Sequence, residues 1–268
     1  MSNEKTKVKS SLKLPKSKVK ASRVNPKSIV IFSHPKSGKT TAVSGLDNCL
    51  ILDIEKGSEY VDALKIDIIE EARKDKVLPI VKLLQYIDTI KKANIDNKGY
   101  IYKYIALDTI SALEDIAKPY AKKMYQSTPM GRNWVGDDIT TLPNGAGWLW
   151  LRNAVLDIKD KLLEICDTLI LLGHVKDSSI RLGAEEITER GLKLSGQLSS
   201  IVCSKVDAVG YLYRKENKTL INFKASESLI VTGRSKHLRN KVVTVVESEV
   251  DEDENVIDLK IDWSEIFI

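Results

Sequence analysis

Residues 29–41 read Ile-Val-Ile-Phe-Ser-His-Pro-Lys-Ser-Gly-Lys-Thr-Thr. An apolar, β-branched run passes directly into Ser33, His34, Pro35, Lys36, Ser37, Gly38, Lys39, Thr40 and Thr41. That is the pattern of a strand ending in a tight loop, with a helix starting near Lys39. Such a loop turns several backbone N–H groups and a positive helix end toward one point, which suits a polyphosphate. The Lys39 ammonium can reach β- and γ-phosphates, and the Thr40 hydroxyl can ligate Mg²⁺. The usual loop begins with glycine where Ser33 stands, which tightens its conformational demands.

Three further polar residues end apolar runs. Asp108 closes Tyr-Lys-Tyr-Ile-Ala-Leu-Asp, where a buried, unpartnered carboxylate would be costly. It reads as part of the Mg²⁺ shell or, alternatively, as the cap of a following helix. Thr109 rather than an acid comes next, so a carboxylate that orients water must come from elsewhere. Glu55, ending Ile-Leu-Asp-Ile-Glu, is the candidate, since an acid at that sheet edge can take a proton from water beside a γ-phosphate. It can equally be a loop acid, and Asp53 two residues earlier reads as structural. His174 ends Leu-Ile-Leu-Leu-Gly-His and either senses a γ-phosphate or simply completes a strand end.

The elements that must position these residues follow from periodicity. Short continuous apolar runs predict strands over 28–32, 49–55, 64–69, 102–108 and 168–173, as expected for strands covered on both faces. Helical spacing predicts helices over 39–45, 78–93, 111–125, with Ser111 as cap, and 148–165. Pro129, Gly131, Gly136, Pro143, Gly145 and Gly147 make 127–147 a loop, and polar residues with three glycines make 175–198 a second. Hairpins are expected over 206–224 and 241–263, the latter around an acidic turn at 251–255. Alternating strands and helices give an α/β fold with a mainly parallel central sheet flanked by helices, plus late β-hairpins.

With 268 residues and 43% hydrophobic content, the chain can bury one substantial core. No apolar run approaches the roughly 18 residues that cross a bilayer, and the N-terminal stretch lacks the apolar segment of a secretory signal. Cys49, Cys166 and Cys203 have no metal-ligand spacing and read as buried thiols of a reducing cytoplasm. The net charge is +5, but residues 1–27 hold eight lysines and Arg23 against Glu4, a net of +8, leaving −3 elsewhere. That stretch reads as a disordered basic tail, either an arm for nucleic-acid phosphates or a solubilising leader. A core over 28–238 and a terminal hairpin extension over 239–268 complete the expected organisation.

Together the segments 35–41, 52–57, 105–109, 171–174, 205–211 and 232–236 resemble the RecA-like P-loop NTPase core. They are similar above all to the compact phage-type ATPases of single-strand annealing and recombination. The resemblance implies ATP and Mg²⁺ as ligands, Glu55 as the hydrolytic carboxylate and His174 as the γ-phosphate sensor. It implies that the loops 127–147 and 175–198 face DNA, through Arg132 and Trp134 in the first and Lys176, Arg181, Arg190 and Lys193 in the second. Stacking on Trp134 would be sequence-tolerant. On their own chemistry these residues can also be a packed aromatic and a solvated face, because Glu185, Glu186 and Glu189 leave the second loop nearly neutral. It further implies Arg234, with Lys236, as a cation offered to a neighbouring copy's nucleotide in a ring or filament. Single-stranded DNA and a single-strand binding protein are the implied partners, and the cytoplasm, the host's if phage-encoded, the implied location. Ser33 departs from the family pattern and implies slow hydrolysis. Two other readings stay open: a P-loop kinase of nucleotides or small metabolites, and a non-hydrolysing ATP-gated assembly protein.

Overall fold

The computed structural model describes residues 14, 16–182, 185–226, 228–251, 253 and 256–268, with the side chains of 180–187 excepted. Its first half alternates as expected: β1 (Ser28–Ser33), α1 (Lys39–Ser44), β2 (Cys49–Asp53), β3 (Leu64–Asp67), α2 (Ile68–Lys74), α3 (Pro79–Asp96) and β4 (Tyr104–Asp108). Next come α4 (Ile110–Ile116), α5 (Lys118–Gln126), two short 3₁₀ turns, α6 (Ala146–Glu164), β5 (Thr168–Leu182), β6 (Glu185–Leu192) and α7 (Leu198–Lys205). The chain ends with β7 (Ala208–Lys215), β8 (Lys218–Asn222), β9 (Thr232–Gly233), a 3₁₀ turn, β10 (Val242–Val250) and β11 (Val256–Ile261).

One sheet runs in the order β11-β10-β8-β7-β1-β5-β4-β2-β3. From β7 to β3 every neighbouring pair is parallel, while β8, β10 and β11 extend the sheet antiparallel. The inner strands β1, β2, β4 and the first half of β5 are buried on both faces and their residues alternate between two cores, while the edge strand β3 is partly exposed. Val30, Phe32, Leu50, Leu52, Ile105, Leu107, Leu169 and Leu171 face one side, packed with residues of α3, α4 and α6. Ile29, Ile31, Ile51, Ala106, Ile170 and Leu172 face the other, beneath Ala42 and Val43 of α1 and Trp263 and Ile266 of the C-terminal segment. No helix among the described residues is long and apolar enough to cross a membrane. All three cysteines are free, and burial pushes the Cys49 and Cys166 thiols up to about 12.

Four expectations need correction. Residues 68–69 open a helix instead of finishing a strand, because the Asp67 carboxylate accepts a hydrogen bond from Glu70 N at 2.7 Å and caps α2. The helix expected over 111–125 is two helices, and its cap is Thr109, whose hydroxyl accepts from Ala112 N at 3.1 Å. Ser111 instead donates to Lys193 O. The segment 175–198 is no open loop: β5 continues past His174 and pairs antiparallel with β6, from Val175 with Leu192 to Leu182 with Glu185. Helix α7 follows over residues to which the periodicity assigns no element. Within the basic N-terminal stretch, Arg23 pairs with Asp167 at 3.1 Å, and Asn25 exchanges two hydrogen bonds with Ile268. Residues 1–13 and 15 lie outside the described ones.

The cap on α2 gives a direct check. Asp67→Ala should cost about 1 kcal/mol of unfolding free energy, the usual loss for an N-cap carboxylate. Urea denaturation reads it, and an unchanged midpoint would contradict the assignment.

Candidate functional site: a phosphate loop faced by two carboxylates

Strands β1, β2 and β4 end within two residues of one another in the register, beside His174 of β5. Ser33 lies beside His174 and Asp53 beside Asp108 in the register, so four polar residues share the carboxyl edge from which the phosphate loop departs. That edge is where open α/β sheets bind ligands. The loop itself needs unusual backbone: Gly38 has φ +92° and Lys36 φ +60°. Glycine adopts the first without steric cost, and a side chain there would meet Arg214 from β7 at 3.3 Å.

Lys39, the first residue of α1, is 6% exposed and folds back over the loop. Its ammonium donates to Ser33 Oγ at 3.1 Å and to the His34 carbonyl at 3.3 Å. Burial lowers its pKa, opposed by the charges of Asp108 and Glu55. Ser33 is fully buried as the last residue of β1, and its hydroxyl donates to His34 O at 2.9 Å. In place of glycine, the chain thus uses a hydroxyl to position the lysine.

Asp108 is buried at the end of β4 and accepts a 2.6 Å hydrogen bond from the Thr40 hydroxyl. Desolvation first, and the nearby charges of Asp53 and Glu55 after it, push its carboxyl up to about 6; Thr40 and Lys39 work against them. Its charged form is therefore short of compensation. The donor set is a hydroxyl and a carboxylate, and no group of three or more His, Cys, Asp or Glu side chains suited to a metal exists among the described residues. Two hard oxygens with room for water and phosphate fit Mg²⁺, which keeps much of its hydration shell.

Glu55 lies just past β2, held on two sides. Thr109 Oγ1 donates to its Oε1 at 2.7 Å, and His174 Nε2 lies 2.9 Å from both carboxylate oxygens. A carboxylate only accepts, so Nε2 carries the hydrogen. His174 Nδ1 is buried without a hydrogen-bond partner among the described residues. The turn behind Glu55 is organised by Asp53, whose carboxylate accepts from Glu55 N, Gly57 N, Ser58 N and Ser58 Oγ. Asp53 is thus structural, as expected from its sequence position. The backbone of His174 joins the network as well. Its N–H donates to Ser111 Oγ at 3.2 Å, and its carbonyl accepts from Lys193 N at 2.8 Å.

The fold thus brings together Ser33, Lys39, Thr40, Glu55, Asp108 and His174. Sequence reasoning missed Thr109, the double-duty hydroxyl that caps α4 and holds Glu55; its place directly after Asp108, at a helix start, was the available signal. It also missed Arg214, which lies in a strand with no motif around it. Other expected residues stand apart. Arg234 is at the opposite, amino edge of the sheet, donating to Ser204 O at 2.6 Å and 3.5 Å from Asp207. Trp134 packs edge-on against Tyr125, with Lys122 Nζ 5.8 Å from its ring centre, rather than standing free. Arg132, Lys176, Arg190 and Lys193 are exposed, and Arg190 lies 3.4 Å from Asp177 across the β5–β6 hairpin. The side chain of Arg181 lies outside the described ones.

A mainly parallel sheet with a phosphate loop leaving its central β1 is the α/β arrangement of a P-loop nucleotide-binding fold. The chain belongs to the AAA domain family, whose sequence model matches residues 25–241. No curated protein matches the chain. Among the solved structures similar to it are two of different kinds. One, a KaiC-like protein from the archaeon Pyrococcus horikoshii, is 12% identical over 88% of this chain and 89% of its own, with a TM-score of 0.39. The RadB recombinase is 11% identical over 84% of this chain and 89% of its own, with a TM-score of 0.40.

Thr109→Val should remove the cap and lower stability by about 1 kcal/mol, while Thr109→Ser restores it. Equal unfolding midpoints for all three proteins would contradict the capping role.

Proposed function

We propose that this chain binds Mg·ATP at residues 33–41 and hydrolyses it in response to single-stranded DNA, in recombination, annealing or replication of phage-type DNA. The observation that carries the reading is the placement of Glu55. It is an anchored carboxylate on the same sheet edge as the buried Lys39, with Asp108 at the end of β4 and Thr40 in the first turn of α1 beside them. Thr40 and Asp108 are the residues that would hold Mg²⁺. The ion, when bound, supplies charge against the phosphate oxygens. Lys39 lies where it can bind the β- and γ-phosphates and stabilise the charge that spreads over a transferring phosphoryl group.

Glu55 is the general base in this reading. Its carboxylate accepts a proton from a water aligned with the γ-phosphate. Thr109 fixes one oxygen, and His174 holds the other side. A γ-phosphate competing for His174 Nε2 would loosen the His174–Glu55 contact. Since His174 sits within β5, whose continuation is the β5–β6 hairpin, that change has a direct route to the exposed Lys176, Arg190 and Lys193. Those cations, with Arg132 and the basic stretch before β1, are the phosphate-contacting surface. Packed Trp134 is the weaker member of that surface. The reading includes assembly with further copies, in which Arg234 at the amino edge meets a neighbour's nucleotide.

Glu55→Gln should retain Mg·ATP affinity while turnover falls by about 100-fold or more, the scale of a lost general base. Addition of single-stranded DNA should raise the wild-type rate. An unchanged Glu55→Gln rate removes the proposed base. A rate indifferent to DNA removes the DNA dependence, and phosphate transfer to a nucleoside monophosphate would favour a kinase.

A further inference from the structure

A cleft of about 640 Å³ opens beside the phosphate loop, and beyond Gly38 and Thr41 none of the residues lining it has a role above. Its floor is Gly38 and Thr41. One wall is Arg214 and Thr219 of the β7–β8 hairpin; the other is the C-terminal hairpin, through Val246 and Val250 of β10 and Val256 and Leu259 of β11. The matched family region ends at residue 241, so this second wall lies beyond it.

The register explains how the hairpin comes to face the loop. Val246 pairs with Ile261 and Ser248 with Leu259 on one face of the β10–β11 ribbon, and a register shift between Glu249 and Val250 brings the Val250–Val256 pair to the same face, where both line the cleft. The base of that face is sealed onto α1. Ile261 packs so closely on Gly45 that a Cβ there would lie 2.5 Å from it, and Trp263 Nε1 donates to Ala42 O at 2.8 Å. The outer half has no such cover: Val250, Val256 and Leu259 are 45%, 58% and 41% exposed. An aliphatic surface is therefore held open directly beside Gly38. Arg214 brings its guanidinium to the junction, 3.3 Å from where a Gly38 side chain would begin, and forms no ion pair among the described residues.

We infer that this cleft is the nucleoside end of the nucleotide site. The base lies against Val250, Val256 and Leu259, and Arg214 meets the α-phosphate where the sugar begins. Apolar side chains bind a base through its flat faces, so the C-terminal hairpin contributes affinity for the nucleoside as such, with little choice among purines. The inference rests on the phosphate loop holding a triphosphate.

Binding of Mg·ATP and of inorganic tripolyphosphate, measured by calorimetry, separates the two ideas. Wild type should bind both, with ATP tighter. The double variant Val256→Ser with Leu259→Ser should bind ATP about tenfold more weakly, the scale expected from lost apolar contact, and tripolyphosphate as before. Ile257→Ser, equally exposed on the same strand but outside the cleft, should change neither. If the double variant binds ATP like wild type while tripolyphosphate still binds, the nucleoside assignment falls and the phosphate loop stands. If wild type binds neither, both fall.

Discussion

A lysine ammonium taken out of water at the end of β1 is the constraint around which the rest is arranged. A buried charge is tolerated only with hydrogen bonds and opposite charge around it. Lys39 finds the first in Ser33 and the His34 carbonyl, the second in Asp108 and Glu55. Burial makes Asp108 costly to charge, and Lys39 offsets part of that cost. A site built this way is incomplete electrostatically. It has donors for an anion at Lys39 and oxygens for a cation at Asp108 and Thr40, the two halves of a metal–phosphate ligand.

Secondary structure supplies the precision. The parallel register pairs Ser33 with His174 and Asp53 with Asp108, and sets Asp108 beside Leu172, two residues before His174, so the four reach one edge without any loop having to place them. Two small networks then fix the remaining freedom. Asp53 gathers the turn after β2 and so aims Glu55 inward, and Thr109 ties that carboxylate to the first turn of α4. Because His174 is bonded both to Glu55 and, through its backbone, to Ser111 and Lys193, the nucleotide edge and the β5–β6 hairpin share one set of contacts.

Much of this was legible in the chain. The phosphate loop announces itself because strand, loop and helix must follow one another in a few residues, and the apolar runs before Glu55, Asp108 and His174 mark strands buried on both faces. What escaped was written in weaker signals. Beyond His174, β5 reads Val-Lys-Asp-Ser-Ser-Ile-Arg-Leu, with Lys176, Asp177 and Ser179 exposed, so no continuous apolar run betrays it. Helix α2 was hidden by the apolar run leading into it, although Asp67 and Glu70 form a capping pair. Arg214 and the C-terminal hairpin reach the loop only through sheet order, β11-β10-β8-β7-β1, which local sequence does not encode.

The central claim is that one triphosphate is gripped by Lys39 between the ends of β1, β2 and β4. Calorimetric titration of Mg·ATP into the wild-type chain and into Lys39→Ala tests it most directly. The account requires affinity to fall by about 100-fold, the scale of a lost charge-assisted contact to phosphate with its partners left unpaired. Equal affinity in the two proteins would contradict it.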